Sequence, residues 1–208
     1  STMAAVSVLS KEDTTKLNSE GPLLITHWGL SGPAILKLSA WGAVDLFDVN
    51  YQFKIKVNWL KSETEASVFE RLKELKNKHT KKSLHTNTQL ELPKRLWQNL
   101  LLASKIYENQ KWAETNHNQL KELASQLTQT IFHVQGKSTF KEEFVTAGGI
   151  NLKEINFKRY ESKIHKGLFF AGEVLNIDAI TGGFNFQAAW TGAWLAGHAM
   201  VDSPLHSD

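Results

Sequence analysis

The sequence predicts a mixed α and β fold, with strands near both ends of the chain and helices between them. Residues 51–57 alternate apolar and polar side chains with the period of a half-buried strand. Apolar residues between 62 and 128 recur at helical spacing, and short apolar runs ending in glycines follow from 129 onward. We therefore expect three divisions, residues 1–61, 62–128 and 129–208.

The first division is predicted to be rich in strands. Residues 23–26 form a short apolar run after a Gly-Pro pair that is typical of a turn. Residues 31–38 begin with turn residues and continue in a short helical pattern. Two strands separated by a short helix are expected here.

The second division is predicted to hold three short amphipathic helices. Ser62 or Thr64 is a suitable cap for the first, which carries Val68. Pro93 marks the start of the second, because proline is tolerated in a first helical turn, and the third begins near Asn116. Short helices of this kind need a neighbour to be stable.

The third division is predicted to return to strands and to end in a helix. Strands are expected at 131–134, at 143–146 and at 167–173, the last of them apolar and ending in Gly-Glu. A Gly-Gly turn then precedes a helix over about 184–198.

Composition and charge exclude several classes of site. The chain has no cysteine, which excludes disulfides, thiolate metal ligands and cysteine nucleophiles. No histidine pair has the spacing of helical metal ligands, so no metal site is expected. No apolar run is long enough to cross a bilayer and no signal peptide is evident, so a cytoplasmic location is expected.

Basic residues concentrate at the start of the helical division. Seven basic and four acidic residues lie between Lys61 and Lys82, and their difference equals the net charge of +3 of the whole chain. The pattern is typical of a solvated helix face with paired charges, and a surface that meets phosphates is the alternative.

The residues that indicate chemistry lie at the end of the apolar run at 167–173 and in the segment that follows it. Gly172 lets a ligand approach the backbone, and Glu173 can accept hydrogen bonds from ribityl or ribose hydroxyls. Gly182 and Gly183 leave N–H groups uncovered at a helix start, where partial negative charge such as the edge of a reduced flavin is favoured. A tightly packed core helix with a glycine-rich entry turn remains the alternative.

Four segments together resemble the HI0933-like family of NAD(P)/FAD-dependent oxidoreductases. Three are in the last third of the chain: FVTAGGINLKEI at 144–155, GLFFAGEVLNID at 167–178 and TGGFNFQAAW at 181–190. The fourth, THWGLSGPAIL at 26–36, is similar to the domain inserted in that family. Within this last segment, His27 is expected to be a structural histidine tied to the backbone near the turn.

The resemblance implies a Rossmann-like FAD-binding domain interrupted by a β-rich insert (partial here, 1–61) and a helical insert (62–128), with its C-terminal portion at 129–208. It implies NAD(P)H or a small molecule as the reductant or substrate, and it names no catalytic side chain. The residues that it places at or near the flavin and ribityl side are Gly172, Glu173, Asp178, Ile180, Gly182, Gly183, Phe184, Asn185, Thr146, Gly148 and Gly149.

One departure from the family bears on cofactor binding. The strand–Gly-x-Gly-x-x-Gly–helix that holds the FAD pyrophosphate does not occur in this sequence. The expectation is a fragment of a flavoprotein oxidoreductase that carries the flavin side of the site and binds FAD weakly or not at all by itself. The competing hypothesis is a non-catalytic module whose basic helical stretch meets a protein or nucleic acid, although without interleaved aromatic residues nucleic acid is the less expected partner.

Overall fold

The computed structural model describes residues 2–9, 17–138, 145–180 and 182–202. It confirms the mixed α and β class, with strands and helices in both of its compact units. The first unit comprises Ser1–Leu38 and Tyr51–Gly136, and the second comprises Ser39–Asn50 and Lys137–Asp208.

The first unit is built on an antiparallel sheet of five strands. Their spatial order is β3-β2-β1-β4-β5, and every neighbouring pair is antiparallel. The strands are β1 (Thr2–Leu9), β2 (Asn18–Ile25), β3 (Leu30–Ser31), β4 (Gln52–Asn58) and β5 (Thr130–Gln135).

Strand β4 forms where the apolar alternation predicts it. Ile55 and Val57 are buried, while Lys54 on the opposite face is exposed. Ile55 lies opposite Phe132 of β5 and Lys54 opposite His133. Residues 131–134 are a strand as predicted, and that strand completes the sheet of the first unit.

The Gly-Pro pair at 21–22 does not turn the chain, so this expectation was wrong. Both residues lie inside β2, opposite Ala4 and Met3 of β1. Strand β3 pairs with β2 only at Leu24 and Ile25, so within the described ranges no strand lies on the other side of the proline. A proline is tolerated there because it removes no hydrogen bond of the sheet.

The first unit also contains three amphipathic helices that pack against one another. Thr64 caps the first, accepting a hydrogen bond of 3.2 Å from the Ser67 N–H, and Asn116 caps the third. Pro93 stands directly before the second helix. The three predicted helices are thus confirmed as α3 (Glu65–Lys78), α4 (Lys94–Ala103) and α5 (His117–Gln129), which follow α1 (Pro33–Trp41) and α2 (Ala43–Asp48).

Two buried tryptophans tie the loops of the first unit to its core. The indole N–H of Trp59 donates to Thr130 Oγ1 at 2.8 Å, and that of Trp97 donates to the Leu84 carbonyl at 2.7 Å. Each ring is almost fully buried and its polar atom is paired. At these two positions, burial of aromatic area is stabilising and leaves no indole N–H unpaired.

The second unit packs a short hairpin and several loops against the last helix. Its hairpin joins β6 (Ile155–Asn156) and β7 (Glu161–Ser162), and its helix α6 spans Phe184–Val201. The buried cluster contains Ile155, Tyr160, Leu175 and Ala196. The predicted start of α6 near Phe184 is confirmed.

Residues 167–173 do not form the buried strand that their apolar composition suggested. Phe169 makes a single bridge with Glu161, and Leu168 is exposed. Residues 172–174 form a turn of 3-10 helix. Its pairing with the hairpin is short: the Ser162 N–H donates to the Leu168 carbonyl at 2.8 Å, and the Phe170 N–H donates to the Tyr160 carbonyl at 2.9 Å. The strand expected at 143–146 falls largely outside the described residues, and Val145 and Thr146 are irregular.

Candidate functional site

A shallow hollow lies between the 3-10 turn at 172–174 and the first turns of α6. It is open to solvent and encloses only about 10 Å³. Sites that enclose a ligand measure about 300–1,000 Å³, so the hollow by itself encloses no ligand. Its lining residues are Gly172, Glu173, Ile177, Asn185, Ala188 and Ala189.

Three residues of the sequence hypothesis meet in this hollow. Gly172 and Glu173 reach it from the 3-10 turn and Asn185 reaches it from the first turn of α6. Gly172 has a φ of +82°, which by itself favours glycine, and a side chain there would meet no atom within 4 Å. The open space beside Gly172 leaves its backbone accessible. The Glu173 carboxylate is exposed and available as an acceptor.

Gly182 and Gly183 stand exposed in front of α6. Gly183 is the N-cap and has a φ of +90°, a left-handed conformation that a side chain would strain. Because glycine has no side-chain oxygen, it cannot cap the first N–H groups of an 18-residue helix. Free N–H groups and the helix dipole favour partial negative charge at this point.

The loop before α6 is held to the helix by Asn185. Its side-chain oxygen accepts from the Ala179 N–H at 2.8 Å, and its side-chain nitrogen donates to the Ala179 carbonyl at 3.0 Å. Asp178 and Ile180, on either side of Ala179, are half-buried, whereas Phe184 is 58 % exposed.

The segment at 146–149 lies beside the start of the same loop. The Ile150 N–H donates to the Val174 carbonyl at 2.9 Å, and the Asn176 N–H donates to the Ile150 carbonyl at 3.1 Å. A Cβ on Gly149 would stand 2.6 Å from the Val174 carbonyl oxygen, so a side chain is excluded by the facing backbone. Gly149 therefore serves close packing of two chain segments. Gly148 has open space around it, and Thr146 is exposed.

Arg159 ties the β6–β7 hairpin to the far end of α6. The guanidinium of Arg159 contacts the Glu161 carboxylate at 3.0 Å and donates to the Ala199 carbonyl at 2.9 Å. Hydrogen bonding from the Gly167 backbone N–H, and then from Arg159, lowers the pKa of Glu161 below its ordinary value. A cation at the C-terminus of α6 also complements the helix dipole.

Sequence reasoning did not place three of the lining residues in the site. Ile177 belongs to the loop, and Ala188 and Ala189 belong to the second turn of α6. The two alanines begin rows of small residues spaced four apart, a signal that predicts close approach to a neighbour. The loop residue had no comparable signal.

His27 has a different environment from the one expected. It is exposed and has no hydrogen bond to the described part of the chain. The turn is held instead by Thr26, whose hydroxyl donates to the Gly29 carbonyl at 2.9 Å and accepts from the Gly29 N–H at 3.1 Å. The expectation of a histidine tied to the backbone was therefore wrong.

Comparison with known proteins places the chain in a family. The family model described as HI0933-like protein barrel and H2TH domain matches residues 2–145, more than half of the chain. The chain belongs to the HI0933-like family. This match covers the five-stranded sheet and the three helices of the first unit.

Similar curated proteins extend the likeness along most of the chain. The ribosomal RNA dihydrouridine synthase of Escherichia coli is 30 % identical over 200 residues, covering 96 % of this chain and 46 % of that protein. The 3-dehydro-bile acid delta(4,6)-reductase of Clostridium scindens is 31 % identical over 188 residues, covering 88 % of this chain and 45 % of the relative. The chain spans about half the length of these relatives.

The HI0933-like chain thus belongs to an oxidoreductase family whose relatives differ in the substrate that their names state. Of the helices in the described ranges, none combines the length and apolar character needed to span a bilayer.

Proposed function

We propose that this HI0933-like chain is part of a flavoprotein oxidoreductase and supplies the flavin-side wall of an FAD site. The observation that carries the proposal is the open hollow at Gly172, Glu173 and Asn185, adjoining a helix start whose N-cap residue, Gly183, has no side chain. When bound, the flavin would supply hydride or electron transfer. No side chain is assigned as catalytic.

The residues present fit the flavin end of the cofactor. The exposed Glu173 carboxylate would accept hydrogen bonds from ribityl hydroxyls, and the first N–H groups of α6 would favour a partly negative ring edge. Gly182 and Gly183 leave that approach open because neither presents a side chain. Reduction by NAD(P)H or a small substrate belongs to the same proposal.

The outer face of α6 supports the proposal that further protein completes the domain. Phe186, Trp190 and Trp194 recur four residues apart and are each more than 60 % exposed. The opposite side of the helix is also apolar and packs on the buried cluster. A helix that is apolar all round is normally buried all round, so we expect more of the FAD-binding fold to cover these rings.

A titration with cofactor pieces tests the assignment of the flavin side. The chain is titrated with riboflavin, FAD and ADP, following flavin fluorescence and equilibrium dialysis. We expect riboflavin to bind weakly, with FAD not much tighter, and we expect ADP not to compete. Replacement of Glu173 by alanine should weaken riboflavin binding, whereas the same change at exposed Glu154 should not. Competition by ADP, or no riboflavin binding at the solubility limit, would contradict the proposal.

A second candidate function is contact with RNA through the end of α3. Lys78, Lys81 and Lys82 are exposed, and none forms an ion pair within the described ranges. The upstream bases are different, since Arg71 pairs with Glu63 and Lys73 pairs with Glu70. Unpaired lysines can neutralise phosphates, and one relative is named for ribosomal RNA.

Salt-dependent binding distinguishes this candidate from a merely solvated surface. RNA fragments are titrated at several salt concentrations with the full chain and with a Lys81→Ala, Lys82→Ala variant. Removal of each lysine that neutralises a phosphate should reduce the slope of log K against log salt by about 0.9 or less. Lys73→Ala, which removes a paired base, is the matched control. Absence of binding at low salt would end this candidate.

A further inference from the structure

We infer that Asn185 is a positioning residue, which shapes the proposed flavin site by clamping the loop at 177–180 to α6. The inference rests on the proposed function and makes one part of it specific. In this role the Asn185 side chain acts through Ala179 and is not itself a ligand of the flavin.

The evidence is a two-point contact between one side chain and one backbone residue. The Asn185 amide accepts from the Ala179 N–H at 2.8 Å and donates to the Ala179 carbonyl at 3.0 Å. Only a side chain with an acceptor and a donor held in one plane can satisfy both groups at once. With both of its polar atoms engaged, the amide is committed to the loop.

The loop has few other ties to the described structure. Its beginning is fixed, because the Asn176 N–H donates to the Ile150 carbonyl and the Ile177 N–H donates to the Leu175 carbonyl. Across 178–180, Ala179 alone has a hydrogen bond to a described residue, and both of its bonds go to Asn185. Loss of the amide therefore frees this part of the loop while the remainder of the unit keeps its contacts.

The clamp adjoins the hollow, so its loss has a direct consequence there. Ile177 lines the hollow from the loop and Asn185 lines it from the helix. If the loop leaves α6, one wall of the hollow is no longer held at a fixed distance from the other. A site whose loop must become ordered when the ligand associates binds that ligand more weakly, because the ordering costs free energy.

Three variants separate the clamp from general effects on the helix. Asn185→Ala removes both bonds. Asn185→Asp keeps an acceptor for the Ala179 N–H but places a carboxylate against the Ala179 carbonyl. Gln187→Ala is the matched control, because the Gln187 amide lies on the same helix and, among the described residues, bonds only to the Thr191 hydroxyl, at 3.0 Å.

Amide hydrogen exchange of the full chain, without any ligand, measures how firmly Asn185 holds the Ala179 N–H. We expect the Ala179 amide to exchange about tenfold faster in Asn185→Ala, the change that corresponds to removal of one hydrogen bond. Asn185→Asp should retain most of the protection, and Gln187→Ala should retain all of it. Protection at Leu175 should stay the same in every variant. Equal Ala179 exchange in wild type and Asn185→Ala overturns the inference.

Riboflavin titration measures how loss of the clamp changes the affinity of the proposed site. We expect Asn185→Ala to bind riboflavin several-fold more weakly, Asn185→Asp to fall between, and Gln187→Ala to match wild type. Faster Ala179 exchange with unchanged affinity overturns the positioning role. If wild type itself binds no riboflavin, the proposed function fails and the positioning role fails with it. Exchange is measured without riboflavin, so the two failures are distinguishable.

Discussion

The contact between α6 and the Tyr160 ring gives the sharpest test of packing in the second unit. A Cβ on Gly192 would stand 2.5 Å from Tyr160 Cε1 and 3.0 Å from Cδ1. The ring has little room to retreat, because it is 8 % exposed and packs edge-on against Phe157 at 5.4 Å. Gly192→Ala is therefore expected to force the helix away from the hairpin.

Two opposing effects determine how Gly192→Ala changes the free energy of unfolding. Alanine in place of glycine favours a helix by about 1 kcal/mol, whereas overpacking of a closed core costs about 1–3 kcal/mol. Gly197 in the same helix has nothing within 4 Å of its Cβ position, so Gly197→Ala gains the helix propensity of alanine without a clash. The difference between the two variants in free energy of unfolding isolates the clash, at about 1–3 kcal/mol.

Urea unfolding with hydrogen exchange of the α6 amides measures this difference within the second unit. We expect Gly197→Ala to raise the protection of α6 and Gly192→Ala to lower it or leave it near wild type. In a Tyr160→Ala background the clash is absent, so Gly192→Ala should then behave like Gly197→Ala. Equal stabilisation by both substitutions in the presence of Tyr160 would refute the packing described here.

Three further predictions concern other interactions. Gly149→Ala should destabilise the second unit by more than Gly148→Ala. Both glycines have positive φ, but only a Cβ on Gly149 would meet backbone, at 2.6 Å from the Val174 carbonyl oxygen. Thermal unfolding of the two variants measures the difference. Because the pKa of Glu161 is lowered in the folded chain, its ionised carboxylate stabilises the fold above the ordinary carboxyl pKa, and this contribution is lost as the pH falls through the lowered pKa. Glu161→Gln should therefore reduce the loss of stability on acidification, measured as melting temperature against pH. Trp59→Phe should cost the first unit about 1–3 kcal/mol in urea unfolding, because the bond to Thr130 is removed and the smaller ring leaves space in the core; unchanged stability would contradict this.

Much of the local structure could be predicted from the sequence. Thr64 and Asn116 cap their helices, and Pro93 precedes the next, because such signals act between residues a few positions apart. The alternation along 52–58 likewise predicted which face of β4 is buried. The glycine pair before α6 predicted an open helix start for the same local reason.

The tertiary structure decided what depends on distant partners. Pro22 is tolerated inside β2 because β1 pairs with one side of it while β3 begins further along the strand, and no local pattern encodes that arrangement. The apolar run at 167–173 pairs with the hairpin only around Phe169, because the strand β7 that it meets is two residues long. The sequence by itself determined where α3, α4, α5 and α6 begin and which residues are candidates for the site. Only the folded chain decided that the Asn185 amide is committed to Ala179, because a side-chain hydrogen bond depends on which backbone groups the fold brings within reach.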